Sequence, residues 1–243
     1  MESTGIHGDP FERYWMICTY LRSMARQPAL IASARLLRFF NNKTGVVIGG
    51  RLRWRFRTLV RTARKIVNVD NCPSNGTELG NVDYVTDAAD LFFAPNETLD
   101  FVCSSHVLEH IANPFKAIGE WKRVVRDGGV IYAGVPDKRH TFDHARERTP
   151  LSHLVDDFNR DVDQTDETHV VEFLERCDYE MVDGPRRDEL LKKVRNDPIS
   201  TIHHHVWVVD DIAEIFEHMG LQVIYGPVLH HGTIHIIGRK SKR

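Results

Sequence analysis

The sequence lacks a cysteine framework: it has four cysteines in 243 residues, Cys18, Cys72, Cys103 and Cys177, and no CxxC spacing. That excludes a disulfide scaffold or a structural zinc knuckle and predicts a reduced protein. No apolar run approaches the ~20 residues of a membrane span, and the opening MESTGIHGDP carries no charged-then-apolar export signal, so the expected compartment is the cytoplasm. Nor does charge of one sign dominate. Lys and Arg number 32 against 34 Asp and Glu, with a net charge of −2 and a pI near 6.7, whereas basic nucleic-acid modules usually exceed pI ~9. Bulk charge therefore gives no basis for a nucleic-acid partner. A GxGxxG fingerprint, internal repeats and low-complexity tracts are also missing. What remains is 42% hydrophobic, enough for one α/β domain with an insertion, since single domains commonly reach ~250 residues.

The most informative stretch is Leu99 to Asp143. Leu99–Cys103 is a short apolar run that ends on Ser104-Ser105-His106, as a buried parallel strand ends at a ligand. Asn113-Pro114 supplies an N-cap and an N1 proline. Phe115, Ile118, Trp121 and Val125 then recur at helical spacing, which predicts an amphipathic helix covering a sheet. Asp127-Gly128-Gly129 stops it, and Val130–Val135 is a second strand followed by the polar run DKRHTFDH. The unit is βαβ, with parallel strands and a right-handed crossover. Ligands of open α/β sheets sit beyond the carboxyl ends of the strands, so Ser104–His106 and Asp137–His144 face one cleft.

Before this unit, Asp9-Pro10 opens a helical stretch, Pro28 interrupts it, and Ala29–Phe40 repeats the pattern. These helices form a lid or an oligomer surface, with a homodimer as the partner in the second case; the alternative is that the arginine-bearing Ala29–Phe40 stretch lies on a membrane surface. Thr44–Gly50 (TGVVIGG) has the profile of a first strand feeding a glycine turn. Seven basic residues in the fifteen of Arg51–Lys65 interleave with Trp54 and Phe56. Leu52, Phe56, Leu59 and Val60 share one helical face, which makes the arginines the solvated side of a crossover helix. Ile66–Val69 is a second strand ending at Asp70, where an acid accepts hydrogen bonds from ribose hydroxyls in Rossmann-like sheets.

After Pro136 the pattern leaves the common core until about residue 201. Thr149-Pro150 starts a helix with Leu151, Leu154, Val155 and Phe158 inward, and a second helix follows Pro185. Alternation through Ile202–Val208 suits an extended segment that points adjacent histidines of His203-His204-His205 to opposite faces, so the three do not share one ion. Asp210-Asp211 caps a helix closed by Gly220, and Leu221–Tyr225 and Thr233–Gly238 are the last strands.

The residues SSHVLEHIANPFKAI, VVRDGG and VPDK resemble the second half of the class I S-adenosylmethionine-dependent methyltransferases, in particular a bacterial branch that includes sugar and small-molecule O-methyltransferases. The resemblance covers roughly residues 44–136 and 205–238. It implies an α/β fold, a Rossmann-like seven-stranded sheet with its last strand antiparallel, in a domain over 44–243; the residue pattern itself adds an N-terminal helical lid over 1–43 and an acceptor-binding insertion at about 137–201. It also implies S-adenosyl-L-methionine as cofactor, with Gly49 and Gly50 under the methionine portion, a third strand in the stretch Val82–Ala88 that brings Asp87 and Ala88 to the adenine, and Ser104, Ser105 and His106 among the cofactor contacts. Val47-Ile48-Gly49-Gly50-Arg51 departs from the family's acidic residue and GxGxG run and matches a shorter IGG form found in some relatives.

The resulting expectation is methyl transfer to a hydroxyl of a small polar acceptor, a sugar or oligosaccharide, because Asp137–His144 is rich in hydrogen-bonding groups and poor in aromatics. His144 is the expected general base, His140 its alternative and Asp137 the orienting or acceptor-binding group, since a neutral imidazole of pKa ~6.5 suits proton removal near neutral pH. Asp137 and Asp143 with their neighbouring histidines are hard ligands suited to Mg2+. The rival readings are a nucleic-acid-contacting methyltransferase, marked by steep salt dependence, and a non-catalytic methyltransferase-like interaction protein, marked by the absence of adenosylmethionine binding. A nicotinamide reductase ranks below both because GxGxxG is absent.

Overall fold

The computed structural model describes residues 36–49, 58–72, 81–182 and 184–242. The expected helices before residue 36, the start of the basic crossover helix and Gly50 lie outside them. Seven strands, β1 (Thr44–Ile48), β2 (Lys65–Asp70), β3 (Tyr84–Val85), β4 (Leu99–Ser105), β5 (Val125–Pro136), β6 (Leu221–His230) and β7 (Thr233–Lys240), form one sheet in the order β3-β2-β1-β4-β5-β7-β6. The first five pair in parallel. β7 runs antiparallel to β5 and β6. This is the expected Rossmann-like seven-stranded sheet.

Period-two patterning decides the two faces. Val46, Ile48, Val102, Ile131, Ala133 and Ile236 face one core layer, where α1 (Pro114–Val124) and α6 (Val209–His218) cover the sheet with Phe115, Ile118, Trp121, Ile212 and Phe216. Val47, Phe101, Cys103, Val130, Tyr132 and Ile237 face the other, under Leu36, Phe40, Leu59 and Val60. Thr58–Val60 is helical; Leu59 and Val60 are buried while Arg61, Arg64 and Lys65 are exposed, as expected for a solvated basic face. Asn113 caps α1 by accepting from the Lys116 amide at 3.0 Å, with Pro114 at the first position. Asp211 reaches back to the Val208 amide at 2.8 Å to start α6.

The insertion holds α2 (Leu151–Asn159), α3 (Thr168–Arg176), α4 (Gly184–Asn196) and the short α5 (Pro198–Thr201). It has its own small core of Phe173, Val194 and Ile202.

Four local expectations are corrected. Asp127–Gly129 does not separate helix from strand: α1 ends at Val124 and β5 begins at once, absorbing Gly128 at φ +76° through a register shift against β4. The third strand is two residues long. Phe158 is 51% exposed, whereas Leu154 is fully buried. Ile202–Val208 is not a strand. It is irregular chain tied to β5 by a single bridge, Trp207 to Asp137, and all seven residues are buried. Among the described residues no helix is long and apolar enough to cross a membrane.

Trp121 is fully buried, and its indole N–H donates to the Ala88 carbonyl at 2.8 Å, tying α1 to the end of β3. Replacing it with Ala should cost ~3–5 kcal/mol of unfolding free energy. Urea denaturation measures this, and a loss below ~1 kcal/mol would mean that the α1 layer contributes little to stability.

Candidate active site

The carboxyl ends of the parallel strands lie on one edge of the sheet, and each presents a different chemistry. At the end of β1, Gly49 has φ +73° and donates its amide to the Val69 carbonyl at 2.9 Å. A Cβ on Gly49 would stand 2.2 Å from Val107 Cγ2, so only glycine lets the β1 and β4 tips approach this closely. Asp70, at the end of β2, is 7% exposed, and its Oδ1 accepts from the Cys72 amide at 3.0 Å. Beyond β3, exposed Asp87 closes its own turn by accepting from the Ala89 amide at 2.6 Å. Ser104 and Ser105 are buried with hydroxyls that have no partner among the described residues.

His106 follows with φ +55°, a conformation few non-glycine residues adopt. Its amide donates to the Gly134 carbonyl on β5 at 2.8 Å. The ring is held from both sides: Nδ1 stands 3.4 Å from Glu109 Oε1, and Nε2 stands 3.2 Å from Thr233 Oγ1 at the start of β7. Glu109 is completely buried, and neither carboxylate oxygen has a full hydrogen bond. Burial raises its pKa, but the His106 contact and the fields of His110 and His203 outweigh this and hold the group low, as a carboxylate.

Behind Glu109 lie two further imidazoles. His110 Nδ1 bonds the Ile202 carbonyl at 2.8 Å, and His203 Nδ1 bonds Asp143 Oδ2 at 2.5 Å. One nitrogen or oxygen from each of Glu109, His110 and His203 falls within 4.8 Å of the others, a set able to share a proton or hold a cation. Asp143 also meets Arg146, which is 2% exposed and donates to Asp143 Oδ1 and to the His203 carbonyl. Despite burial, His203 and Arg146 hold the Asp143 carboxyl at about 2. Burial also opposes the charge on His203, but Asp143 pulls its pKa up. Burial and the His203 charge press His110 down to about 4.

The residues expected after β5 are placed differently from one another. Both oxygens of Asp137 accept from the Arg139 guanidinium, at 2.9 and 2.6 Å. Exposed His140 sits against Gly232 in the β6–β7 turn. His144 is exposed, and its Nε2 meets Asp178 Oδ2 at 3.0 Å, so its carboxylate partner comes from the insertion. The expected Mg2+ site is not formed by these carboxylates, because Asp137 and Asp143 are each committed to an arginine and share no cluster. Glu109, Thr233, Arg146 and Asp178 escaped the sequence reading. Only Glu109 left a trace there, as an acid beside His110 within the otherwise apolar VLEHI.

A half-buried, neutral His110 costs stability once the unfolded chain takes up its proton. Its folded pKa lies below the unfolded value, so its contribution is complete above pH ~6.5 and is lost as pH falls toward about 4. Urea midpoints should therefore drop over that interval, and more steeply in the parent chain than in His110→Gln. Equal slopes would place His110 outside the titrating set.

Residues 52–133 match a family described as a methyltransferase domain. No curated protein matches the chain. Among solved structures, one from a complex of the Haloferax volcanii Trm112 methyltransferase activator with a methyltransferase is 14% identical and has a TM-score of 0.50; the alignment covers 95% of this chain and 92% of that one. An S-adenosylmethionine-dependent methyltransferase from Mesorhizobium loti is 13% identical at a TM-score of 0.49, covering 89% of this chain and 100% of that one. A SAM-dependent methyltransferase from Aquifex aeolicus is 14% identical at 0.46, covering 95% and 98%. With its strand order, its antiparallel β7 and the matched stretch, the chain has the class I methyltransferase fold and carries a methyltransferase-domain sequence over residues 52–133.

Proposed function

We propose that the protein is an S-adenosylmethionine-dependent methyltransferase acting on a hydroxyl of a small polar acceptor, a sugar or short oligosaccharide. The observation that carries this reading is His106, in a left-handed conformation at the β4 tip, with a buried carboxylate on one ring nitrogen and a hydroxyl on the other. Non-glycine residues in that region cluster at functional sites. The strand tips suit the cofactor: a glycine turn that tolerates no side chain, then the carboxylate of Asp70 one strand away for paired ribose hydroxyls, then Asp87 and Ala88 for the adenine. Ser104 and Ser105 belong to the same edge, and by the sequence resemblance Gly50 joins Gly49 under the methionine portion. When bound, adenosylmethionine supplies a methyl group activated on a sulfonium.

The chain's own task is then to align the acceptor and remove its proton. Glu109 fixes the His106 tautomer with the proton on Nδ1, which leaves Nε2, now beside Thr233 Oγ1, to receive the acceptor proton. Glu109 stabilises the imidazolium that forms. The exposed polar rim of Arg139, His140 and His144 supports a polar rather than a planar aromatic acceptor. His144 with Asp178, or His140, is the competing base, and Asp137 positions Arg139 on that rim.

Radiolabelled methyl transfer to a panel of saccharides, phenols and amines should place the label on saccharide hydroxyls; label confined to amines or phenols would overturn the acceptor class. In calorimetry, Asp70→Ala should weaken adenosylmethionine binding about tenfold or more, since a charge-assisted contact contributes ~1.5–3 kcal/mol. Unchanged affinity would remove Asp70 from the site. His106→Ala should lower turnover ~10²–10⁴-fold with cofactor affinity nearly intact. A loss of that size in His144→Ala instead would move the base to the outer His144–Asp178 pair.

A further inference from the structure

A second group of titratable side chains lies outside this edge, within the insertion. His153 and Asp157 are four residues apart on α2 and so share one face. His169 comes from the start of α3, and His205 from the irregular chain before α6. One ligating atom from each lies within 4.8 Å of all the others. The separations are close to those of a coordination shell. His153 Nε2 is 3.0 Å from His169 Nε2 and 3.2 Å from Asp157 Oδ2, and Asp157 Oδ2 is 3.8 Å from His205 Nε2. Four ligands at ~2.0–2.1 Å in a tetrahedron stand about 3.3 Å apart. We propose that His153, Asp157, His169 and His205 bind one divalent transition-metal ion of the zinc class.

The surroundings favour a cation over an ordinary hydrogen-bonded core. Asp157 is 4% exposed, yet its Oδ2 accepts no full hydrogen bond; His205 is 1% exposed, and its Nδ1 has no partner among the described residues. The facing Nε2 atoms of His153 and His169 can share one proton at most while both rings are neutral. A metal satisfies both lone pairs together with the carboxylate oxygen. His205 Nε2 stands 3.1 Å from the Ala112 carbonyl, so on ligation that ring gives up this bond and carries its proton on Nδ1 instead.

The outer side is also built. His169 Nδ1 faces Glu172 Oε2 at 3.5 Å, and Arg146 holds the same oxygen at 3.3 Å, the carboxylate–imidazole arrangement that orients metal-bound histidines. Three imidazoles and one carboxylate suit zinc or cobalt better than magnesium or calcium, which take oxygen ligands. Since protein groups fill all four positions, the ion is structural. It ties α2, α3 and the chain entering α6 together and seats the insertion on the sheet.

The rival is a proton shared among the same rings, and metal titration separates the two. After chelation and dialysis, the full chain should bind one equivalent of Co2+ with the visible absorption of a tetrahedral site; Zn2+ should displace it and raise the melting temperature. His153→Gln and His169→Gln should weaken Co2+ binding at least ~10-fold, as loss even of an outer partner typically does. His110→Gln and His203→Gln should bind as the parent does. Glu172→Gln keeps all four ligands, guards against a variant that fails to fold, and should weaken affinity ~10–100-fold. The proposal is overturned if the parent binds no stoichiometric metal. It is equally overturned if binding survives unchanged in both His153→Gln and His169→Gln, or if binding is lost with His203→Gln while His169→Gln retains it.

Discussion

The site edge and the insertion both depend on one buried ion network centred on Arg146. Its guanidinium donates to Asp143 at 2.9 Å, to the His203 carbonyl at 2.8 Å and to Glu172 at 3.3 Å, joining the loop after β5, the chain before α6 and α3. Asp143 then holds His203, whose ring centroid lies 4.7 Å from that of His110, beside Glu109. Buried charges are tolerated only when paired and hydrogen-bonded, and removing one partner of such a pair typically costs ~3–5 kcal/mol. A neutral replacement at Arg146 therefore leaves Asp143 buried beside His203 without its second counter-charge, and it loosens three segments at once.

The fold was legible because its signals are local. Asn113-Pro114 starts α1, apolar residues at helical spacing fill its inner face, and period-two alternation assigns Val46 and Val47 to opposite sides of the sheet. The site was legible only as an edge. Gly49, Asp70 and His106 stand where strand ends put them, but partners could not be read, because the groups that define the chemistry lie far apart in sequence. His106 meets Thr233 across 127 positions, and Asp143 meets His203 across 60. Asp137 shows the opposite case: its partner, Arg139, is two residues away, a local contact that spacing alone does not announce.

His203-His204-His205 shows why spacing alone misleads. Regular alternation would send His203 and His205 to the same side. The backbone there is irregular, and the Glu109 carbonyl accepts from the amides of both His204 and His205, which turns the two rings apart. One goes to Glu109 and Asp143, the other to Asp157 and His169. A three-residue run thus connects these two polar centres through its main chain, with His204 between them.

The antiparallel direction of β7 has a consequence for how the cleft can diversify. A parallel strand in that place would bring its carboxyl end to the edge through a crossover helix. An antiparallel one brings its amino end there directly from the hairpin turn, where Gly232 accepts the Asp137 amide at 2.9 Å and Thr233 meets His106. The wall beside His106 is therefore a short, exposed loop whose length is independent of the sheet's register. Insertions at His231-Gly232 can reshape the space beside His106 while β1 and β2, at the other end of the edge, keep their geometry.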